Sequence, residues 1–451
     1  MIGEDQARQL TAQALELSSP DRAEVALKGA TSKLTRFANN TVHQNVSESD
    51  ARLGIRIMQG ERVGSAITNR LEPDGLAAAV QKARLFASES AADPHLPAIV
   101  RMAILAGLQS FDPATAEHSP DTRAEAVGEL CRRAAGLGLN ASGAFRVAAE
   151  EMSAANSEGT FAYHAGTAAD FQTVVMGDGS SGWAHAAHWK VAELSLPALG
   201  EEAIRKAVEG KGPRPFEPQA TTVVLDPYAT ADLILMLNLV GMGAQSLIKG
   251  QSWMVDRIGK QAMSEQVNIW DDGRDLEGLP LLFDYEGVAK QRVDIVKGGV
   301  VQGPVFDGKT AKRLGAVSTG HALSPFLPTL ARGFGPLAMN LRMAAGDATT
   351  QELIASTERG LYITRFHYTR PVHPRDCVVT GMTRDGVFVI EHGRLAYPIK
   401  DLRFTQSYVS ALNEVEGIGA ETRLLSDDFL GMSVRAPAIK IKNFRFTGTT
   451  A

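Results

Sequence analysis

The sequence predicts an α+β protein with an N-terminal mixed antiparallel sheet carrying helices. It also predicts a C-terminal β-rich domain, barrel- or sandwich-like, with one prominent helix. Helical periodicity and strand alternation both occur in the first half, and the segment "EGKGPRPFEPQ" at 209–219 concentrates Gly, Pro and charge. After about residue 265, short apolar stretches recur between Gly, Asp and Pro turns. We therefore predict domains at 1–212 and 220–451.

The first half divides into helices and strands in a clear order. Residues 4–17 predict an amphipathic helix rather than a signal peptide, because acidic residues replace the basic start of a signal sequence. Strand-like segments lead to a hairpin at "QGER", and a helix with Pro73 near its start follows. The Pro-containing stretch 93–117 predicts a winding connection. A second helix then contains Cys131 as a small core residue, an antiparallel sheet covers 143–192, and a further helix covers 196–209.

The second half opens with "TTVVLDP", a short buried strand, and "YATADLILMLNLVGMGAQSLIKG", which predicts a long buried helix. Its most apolar run, 231–244, is too short to span a bilayer. The remaining segments, such as "GVFVIEHGRLAYPIKDLRFTQSYV", have the alternation and turn residues of short strands.

Composition narrows the class of function. The chain is 44% hydrophobic and 22% charged with a net charge of −5, which gives no global support for direct binding to nucleic acid or to an anionic membrane. Its two cysteines, Cys131 and Cys377, do not form a disulfide framework and suit a reducing compartment. We predict a cytoplasmic protein.

The segment "RFHYTRPVHPRDC" at 365–377 contains zinc-ligand residue types in His367, His373 and Cys377. On a straight strand the two histidines would share a face but lie about 20 Å apart, whereas ligands of one zinc lie within about 4 Å of each other. A sharp turn at the prolines would be needed to join them. The pattern favours a strand, a Pro-bounded turn and a second strand in which Cys377 is half-buried.

Three other groups carry candidate chemistry. His185 and His188 lie three residues apart on a predicted strand and so point to opposite faces, and the neighbouring tryptophans favour a ligand-contact or interface patch. Asp284 and Glu286 would suit acid–base work or a cation, but Gly287 beside them favours a turn-stabilising pair.

The segment "VSTGHAL" offers Ser318, Thr319 and His321 as a nucleophile and a base. Such a pair also needs an orienting acid, and the sequence has no G-x-S-x-G elbow, P-loop or G-x-G-x-x-G signature. The residues alone therefore give little support for serine hydrolysis or nucleotide binding.

The ordered set of short motifs resembles the TldD/PmbA family, also called the modulator of DNA gyrase family. The motifs are "LLFDYEGVAKQRVDIVKGGVVQGPVFDGKTAKRLGAVSTGHA", "MNLRMAAGDATTQELI", "GLYITRF", "VVTGMTRDGVFVIEHGRL" and "PAIKIKNFRFTG". The N-terminal "AEVALKGATSKLTRFANNTVHQNVSESDARLGIRIMQGERVGSAITN" is similar to the opening of the family. The resemblance covers nearly the whole chain.

The resemblance implies one of two kinds of subunit. TldD-like members carry H-E-x-x-x-H on the helix after the "VVL.P" strand and a cysteine near the C-terminus as zinc ligands. PmbA/TldE-like members lack them, and the two kinds form a heterodimeric cytoplasmic metallopeptidase. The corresponding positions in this sequence hold residues that do not suit zinc, namely Leu235, Met236, Leu237, Asn238, Gly241 and, near the C-terminus, Met432.

The resemblance therefore implies a catalytically silent, PmbA/TldE-like subunit that uses no zinc cofactor and binds peptide between its domains. Its expected partners are a second copy of itself or a TldD-like subunit, and extended peptides could add to a free sheet edge. The candidate substrate-binding residues are Asn238, Asp284, Glu286, Ser318, Thr319, Arg384 and Asp385, the last two in a predicted turn at 383–386. Two alternatives stay open: a hydrolase with a relocated metal site, and a DNA gyrase-associated regulator.

Overall fold

The computed structural model describes residues 1–102, 107–427 and 431–449, and it is 27% helical and 42% strand. The strands form two sheets, which confirms the predicted α+β class. The first sheet is antiparallel with the order β3-β2-β1-β4-β5-β6. Its strands are β1 (Arg22–Ala38), β2 (Thr41–Gln59), β3 (Arg62–Thr68), β4 (Asn140–Asn156), β5 (Phe161–Gly177) and β6 (Ser180–His188).

Tight turns set the register of this sheet. Asn39 and Asn40 both have positive φ (52° and 57°), which a two-residue hairpin turn between β1 and β2 requires. The predicted "QGER" hairpin joins β2 to β3, with Gly60 at φ 63°. Because side chains alternate along each strand, one face of the sheet carries apolar residues such as Leu27, Ile55 and Phe145.

Helices cover that apolar face and form two core clusters with it. They are α1 (Glu4–Ser18), α2 (Pro73–Glu89), α4 (Pro120–Gly136) and α5 (Leu196–Glu209), and the short α3 (Pro113–Ala116) precedes α4. Pro73 and Pro120 stand in the first turns of α2 and α4, where their missing N–H costs no helix hydrogen bond. Cys131 on α4 is buried in the core, as predicted. The short helix α3 lies inside the predicted winding connection, of which residues 103–106 lie outside the described residues.

The second half forms an 11-stranded mixed sheet. Its strands are β7 (Ala220–Leu225), β8 (Ile269–Asp271), β9 (Val293–Lys297), β10 (Val300–Val301), β11 (Asn340–Met343), β12 (Arg359–His373), β13 (Val378–Glu391), β14 (Arg394–Pro398), β15 (Leu402–Ser407), β16 (Val415–Asp427) and β17 (Met432–Thr449). The long strand β17 pairs with β15 and also with β7, so the order β17-β15-β13-β12-β7 closes into a ring. This ring is the barrel-like part of the predicted architecture.

Among the described residues of the second half, six α-helices accompany this sheet: α6 (Pro227–Leu237), α7 (Ala244–Ile248), α8 (Gly308–Leu314), α9 (Pro328–Phe334), α10 (Thr350–Ala355) and α11 (Tyr408–Asn413). The prediction of one long helix after β7 is wrong, because α6 gives way at Asn238 to a π-helical turn that runs to Met242. A side chain bonds a main-chain carbonyl at this break: the Trp253 indole N–H donates to Leu237 O at 2.8 Å. None of the helices in the described ranges combines the length and apolarity needed to cross a membrane.

Two local predictions in the second half also need correction. Residues 383–386 do not form a separate turn but lie within β13, where Asp385 has φ 60° beside a shift in the pairing with β12. This is a bulge rather than a chain reversal. Cys377 is fully rather than half buried, because the short 3-10 helix Pro374–Asp376 turns it into the core beneath β15.

The first sheet packs with its second face against the loops of the second half, and an ion cluster fixes this contact. Arg56 on β2 donates to Glu24 on β1 at 2.5 Å and to Glu286 of the second half at 3.1 Å. Glu286 also accepts the Gly308 N–H at the start of α8 at 2.8 Å. The side chains of Glu24 and Glu286 are 11% and 10% exposed, so their charges depend on Arg56 for compensation.

We expect Arg56→Met to destabilise the protein by about 2–4 kcal/mol at neutral pH, because it leaves two buried carboxylates without a cation. Urea denaturation measures this loss, and it should shrink as the pH falls and the two carboxylates take up protons. Arg132→Met is the control, since the Arg132–Glu129 pair is exposed and should cost less than about 1 kcal/mol. Equal losses for the two variants would contradict the assigned role of Arg56.

Candidate interdomain binding site

A cavity of about 480 Å³ lies between the second face of the first sheet and the loops of the second half. This volume falls within the range of small-molecule and peptide pockets. The first sheet contributes residues of β1, β2, β4 and β5, whereas the second half contributes segments 279–290, 322–340 and the ends of β16 and β17. The cavity therefore exists only where the two halves meet.

The two walls of the cavity differ in character. The first sheet presents charged side chains that pair with each other, such as Lys28 with Glu150 at 3.3 Å and Arg52 with Asp50 at 2.5 Å. Glu150 raises the pKa of Lys28, which keeps the ammonium group charged. The opposite wall is mainly apolar and includes Leu323, Phe326, Leu330, Leu337 and Met339, but it also contains the polar residues Asp284, Lys290 and Asn340. An extended ligand with a polar backbone and apolar side chains matches such a pair of walls.

Asp284 lines the cavity and organises a turn rather than a strand. Its carboxylate accepts the N–H groups of Glu286, Val288 and Ala322 at 2.8–2.9 Å, and Gly287 adopts φ 76° in the same turn. Burial and the nearby Glu286 charge raise the pKa of Asp284 to about 7. The turn-stabilising interpretation therefore describes the position of Asp284, while Glu286 points away to Arg56.

The segment with Ser318 and Thr319, both half-buried, begins a row of polar groups that leads to the buried His321 and Asp271. Thr319 Oγ1 lies 2.8 Å from His321 Nδ1, and His321 Nε2 lies 2.8 Å from Asp271 Oδ2. This order matches a nucleophile, a base and an orienting acid. However, the Thr319 hydroxyl also accepts the Phe306 N–H at 2.8 Å, and Ser318 contacts Phe306 O. Because neither hydroxyl lines the cavity, the row is suited to holding the 306–321 loop in place.

Sequence reasoning missed Asp271, Lys290 and Asn340, which stand beside this row. Burial alone would raise the pKa of Asp271, but Lys290 at 3.8 Å and His321 hold the pKa below its ordinary range. Asp271 also accepts the Asn340 N–H at 2.6 Å. Lys290 and Asn340 both line the cavity. The "VAKQR" and "MNLRM" segments that contain them offer no signal in sequence, since only the fold brings them together.

Asn238 lies behind the cavity, at the start of the π-helical turn, and is fully buried. Its amide donates to Ala338 O at 2.8 Å and accepts the Ala338 N–H at 3.2 Å. Its Nδ2 also contacts Met432 Sδ at 3.3 Å, and Met432 reaches the cavity wall. The structure thus brings together Asn238 and Met432, two of the positions where the family resemblance places zinc ligands. The backbone of Ala338 bonds both the oxygen and the nitrogen of the Asn238 amide.

The space beside Gly241 is occupied by Trp253. A Cβ at Gly241 would lie 2.4 Å from Trp253 Cδ1 and 2.9 Å from Ser252 Oγ. The neighbouring Met236 and Leu237 are buried in the core and carry no suitable donor for zinc. Position 241 therefore has no room for a side chain that could coordinate a metal. The Trp253 and Ser252 side chains that fill the space beside Gly241 are not zinc ligands.

The remaining predicted residues lie elsewhere. Asp385 is buried and accepts Arg365 at 2.5 Å, Arg365 stacks on Trp183 of β6, and Arg384 is exposed beside them. This cluster joins the two halves away from the cavity. His185 pairs with Asp170 at 2.7 Å.

His367 and His373 stand on β12 apart from the buried Cys377. Within the described ranges, the side chains of His, Cys, Asp and Glu form no group of three or more that could hold a metal.

Two family models match the chain. One, described as the PmbA/TldA metallopeptidase C-terminal domain, matches residues 218–448, and the other, described as PmbA/TldA metallopeptidase domain 1, matches residues 23–87. The chain belongs to the PmbA/TldD family. This confirms the resemblance that the ordered motifs predict.

Relatives within the PmbA/TldD family align over nearly the whole chain. Metalloprotease PmbA of Escherichia coli O157:H7 is 27% identical over 95% of this chain and 94% of its own length. A metalloprotease TldD homolog of Buchnera aphidicola is 21% identical over 91% of this chain and 89% of its own length. The crystal structure of TldE from Thermococcus kodakarensis has the same fold, with a TM-score of 0.88 over 98% of this chain and 100% of that chain at 20% identity.

The packing of Gly241 on Trp253 predicts a non-additive pair. We expect Gly241→Ala to cost about 1–3 kcal/mol through overpacking and Trp253→Ala to cost about 3–5 kcal/mol through cavity formation. The double variant should lose less than the sum, because the smaller residue at 253 makes room for the new methyl group. Urea denaturation provides all three values, and Gly136→Ala, with open space around it, is the control. Strict additivity would contradict the proposed contact.

Asp284 predicts a measurable pH dependence of stability. Because its pKa is about 7 in the folded protein and about 3.9 in an unfolded chain, the folded state binds more protons between these values. The contribution of Asp284 therefore falls as the pH rises from about 4 to 7, by up to about 1.4 kcal/mol per unit. Asp284→Asn should remove this fall in denaturation curves recorded across the range. Parallel curves for the variant and the unmodified protein would contradict the assignment.

Proposed function

We propose that this chain is a catalytically silent, PmbA/TldE-like subunit that binds peptide or unfolded polypeptide in the interdomain cavity. The proposal rests on the contrast between the open cavity and the filled region where α6 meets β17. The cavity of about 480 Å³ is open, whereas Asn238, Met432 and Trp253 fill the place where α6 meets β17. Space for a ligand is present, and the described His, Cys, Asp and Glu side chains form no group of three or more that could hold a metal.

A free sheet edge supports peptide as the ligand. β3 pairs with β2 only from Leu53 onward, so residues 41–52 of β2 have no strand on their outer side in the described part of the chain. Asp50 and Arg52 of this edge also line the cavity. An extended peptide could pair with the edge through its main chain and place alternate side chains against the apolar wall. Such binding would depend little on sequence.

We further propose that the chain acts in the cytoplasm as a homodimer or as a heterodimer with a TldD-like subunit. Both cysteines are free and buried, which suits a reducing compartment. Relatives named TldD homologs align with this chain, and a subunit of that kind would supply the zinc ligands that this chain lacks. On this proposal, the chain contributes substrate binding and its partner contributes the chemistry.

The decisive experiment separates binding from hydrolysis. Untagged protein should bind fluorescein-labelled, reduced and carboxymethylated α-lactalbumin in an anisotropy titration but should not cleave it. Addition of the TldD-like subunit from the same organism should produce cleavage that a chelator stops. Chelator-sensitive cleavage by this chain alone would overturn catalytic silence.

The location of binding is tested by filling the cavity. Ala168 lies on β5 in the cavity wall, so Ala168→Trp should weaken binding of the labelled polypeptide at least tenfold, about 1.4 kcal/mol. Ala78→Trp on the exposed side of α2 is the matched control and should bind normally. Unchanged binding by Ala168→Trp, with its fold confirmed by circular dichroism, would exclude the cavity as the site.

A further inference from the structure

The outer surface of the barrel-like ring concentrates arginines. Phe366, Phe404 and Phe446 of strands β12, β15 and β17 are buried inside the ring. Because side chains alternate along a strand, the residues on either side of each phenylalanine point outward. We call the outward-pointing residues of 367–370, 380–384, 403–405 and 445–447 the arginine face.

The arginine face is basic although the whole chain has a net charge of −5. Its arginines are Arg370, Arg384, Arg403 and Arg445. The other outward positions of these described segments carry His, Thr, Tyr or Met, and none carries Asp or Glu. Local positive charge is therefore concentrated on one side of an acidic protein.

Strand register places these arginines on one surface. Arg370 pairs with Thr380, Thr380 pairs with Thr405, and Met382 pairs with Arg403. Cross-strand partners lie on the same side of a sheet, with neighbouring strands about 4.8 Å apart. Thr405 Oγ1 donates to Thr380 Oγ1 at 3.3 Å, in agreement with a shared side. Because threonine is short, the longer arginines stand above it.

The remaining two arginines extend the same surface. Arg384 follows Met382 by two residues on β13 and therefore shares its side of the sheet. Phe404 pairs with Phe446 and both are buried, so the neighbouring Arg445 points outward on β17. Outward residues of one strand recur about every 6.7 Å. The four guanidinium groups thus cover four adjacent strands.

Three of these charges have no carboxylate partner among the described residues. Arg370, Arg403 and Arg445 are exposed and form no ion pair there. Arg370 donates to Thr369 O at 2.8 Å and lies 4.6 Å from the ring centre of Tyr368. Like charges at such spacing repel each other at low salt, and a bound anion relieves this repulsion.

The nearby carboxylates already have other partners. Arg384 lies 3.9 Å from Asp385 Oδ1, but Asp385 is buried and accepts Arg365 at 2.5 Å. Asp401 is half-buried and accepts the Thr383 hydroxyl at 3.2 Å. The Arg384 side chain is 47% exposed and is free to reach outward.

Carboxylates suit this surface as ligands. The guanidinium group presents paired N–H donors that match both oxygens of a carboxylate. An extended peptide places alternate side chains about 6.7 Å apart, which equals the spacing of outward residues along a strand. Surfaces that bind single-stranded nucleic acid also offer aromatic rings on which bases stack. Tyr368 is the exposed aromatic side chain of the arginine face, and Arg370 already covers one side of its ring.

We propose that the arginine face binds an extended polypeptide segment rich in Asp and Glu. The guanidinium groups donate to its carboxylates, and recognition depends on charge rather than on an exact sequence. The four arginines do not line the interdomain cavity. The inference therefore goes beyond the proposed function and does not depend on it.

Anisotropy titration with a fluorescein-labelled oligoglutamate of about eight residues, about 27 Å long when extended, tests the proposal. We expect binding at low salt that weakens strongly as NaCl approaches about 0.2 M, because salt screens exposed charges. A Gly-Ser peptide of the same length should not bind. Equal binding of the two peptides, or no binding of oligoglutamate at low salt, would overturn the proposal.

Charge reversal locates the binding. Arg403→Glu combined with Arg445→Glu should weaken oligoglutamate binding at least about tenfold, because it removes two attractions and adds two repulsions. Arg132→Glu combined with Arg313→Glu is the matched control. It changes two exposed arginines on α4 and α8, gives the same net charge, and should bind nearly normally. Equal losses in the two double variants would show that only the overall charge matters and would overturn the assigned surface.

Two further arms complete the test. If circular dichroism shows that the charge-reversed variant does not fold, Arg403→Gln combined with Arg445→Gln removes the charges without adding acids and should weaken binding about 2- to 25-fold. Unchanged binding by that variant would overturn the proposal. Unlabelled oligothymidylate of equal charge should compete weakly with oligoglutamate, and tighter binding of the oligonucleotide through the same arginines would assign the surface to nucleic acid instead.

Discussion

The structure depends on the docking of the first sheet against the second half, and Arg56 is central to that contact. Its guanidinium lies between Glu24 of the same sheet and Glu286 of the opposite half. Glu286 in turn accepts the N–H of Gly308 at the start of α8. Because these carboxylates are nearly buried, Arg56 compensates their charge where the two halves meet. The cavity lies between the same two surfaces, so its shape depends on this contact.

The cavity lies next to a densely packed region where α6 meets β17. The π-helical turn after α6 is held by Trp253 and Ser252, whose side chains bond the carbonyl groups of Leu237 and Gly241. Both polar atoms of the Asn238 amide bond the backbone of Ala338, and Nδ2 also contacts Met432 Sδ. These contacts fill the region with packed side chains. Lys290 and Asn340 belong to the wall of the open cavity nearby.

Much of the fold could be predicted because its signals are local. Pro73 and Pro120 begin helices, Gly60 permits a hairpin, and alternation indicates the strands of the first sheet. Other features were not predictable because distant contacts decide them. The break in the apolar segment at Asn238 requires Trp253, and the bulge at Asp385 requires its ion pair with Arg365. In both places the tertiary contact outweighs the local pattern.

The sequence by itself determined the fold class, the family and the absence of His, Glu and Cys from the expected ligand positions, since these follow from residue identity and order. Only the tertiary structure decided which polar residues share a surface. Asp284 and Glu286 are two residues apart but face different partners, whereas Lys290 and Asn340 are fifty residues apart and line one wall. The reason is physical: a turn reverses direction within a few residues, and sheet packing joins segments that lie far apart in the chain.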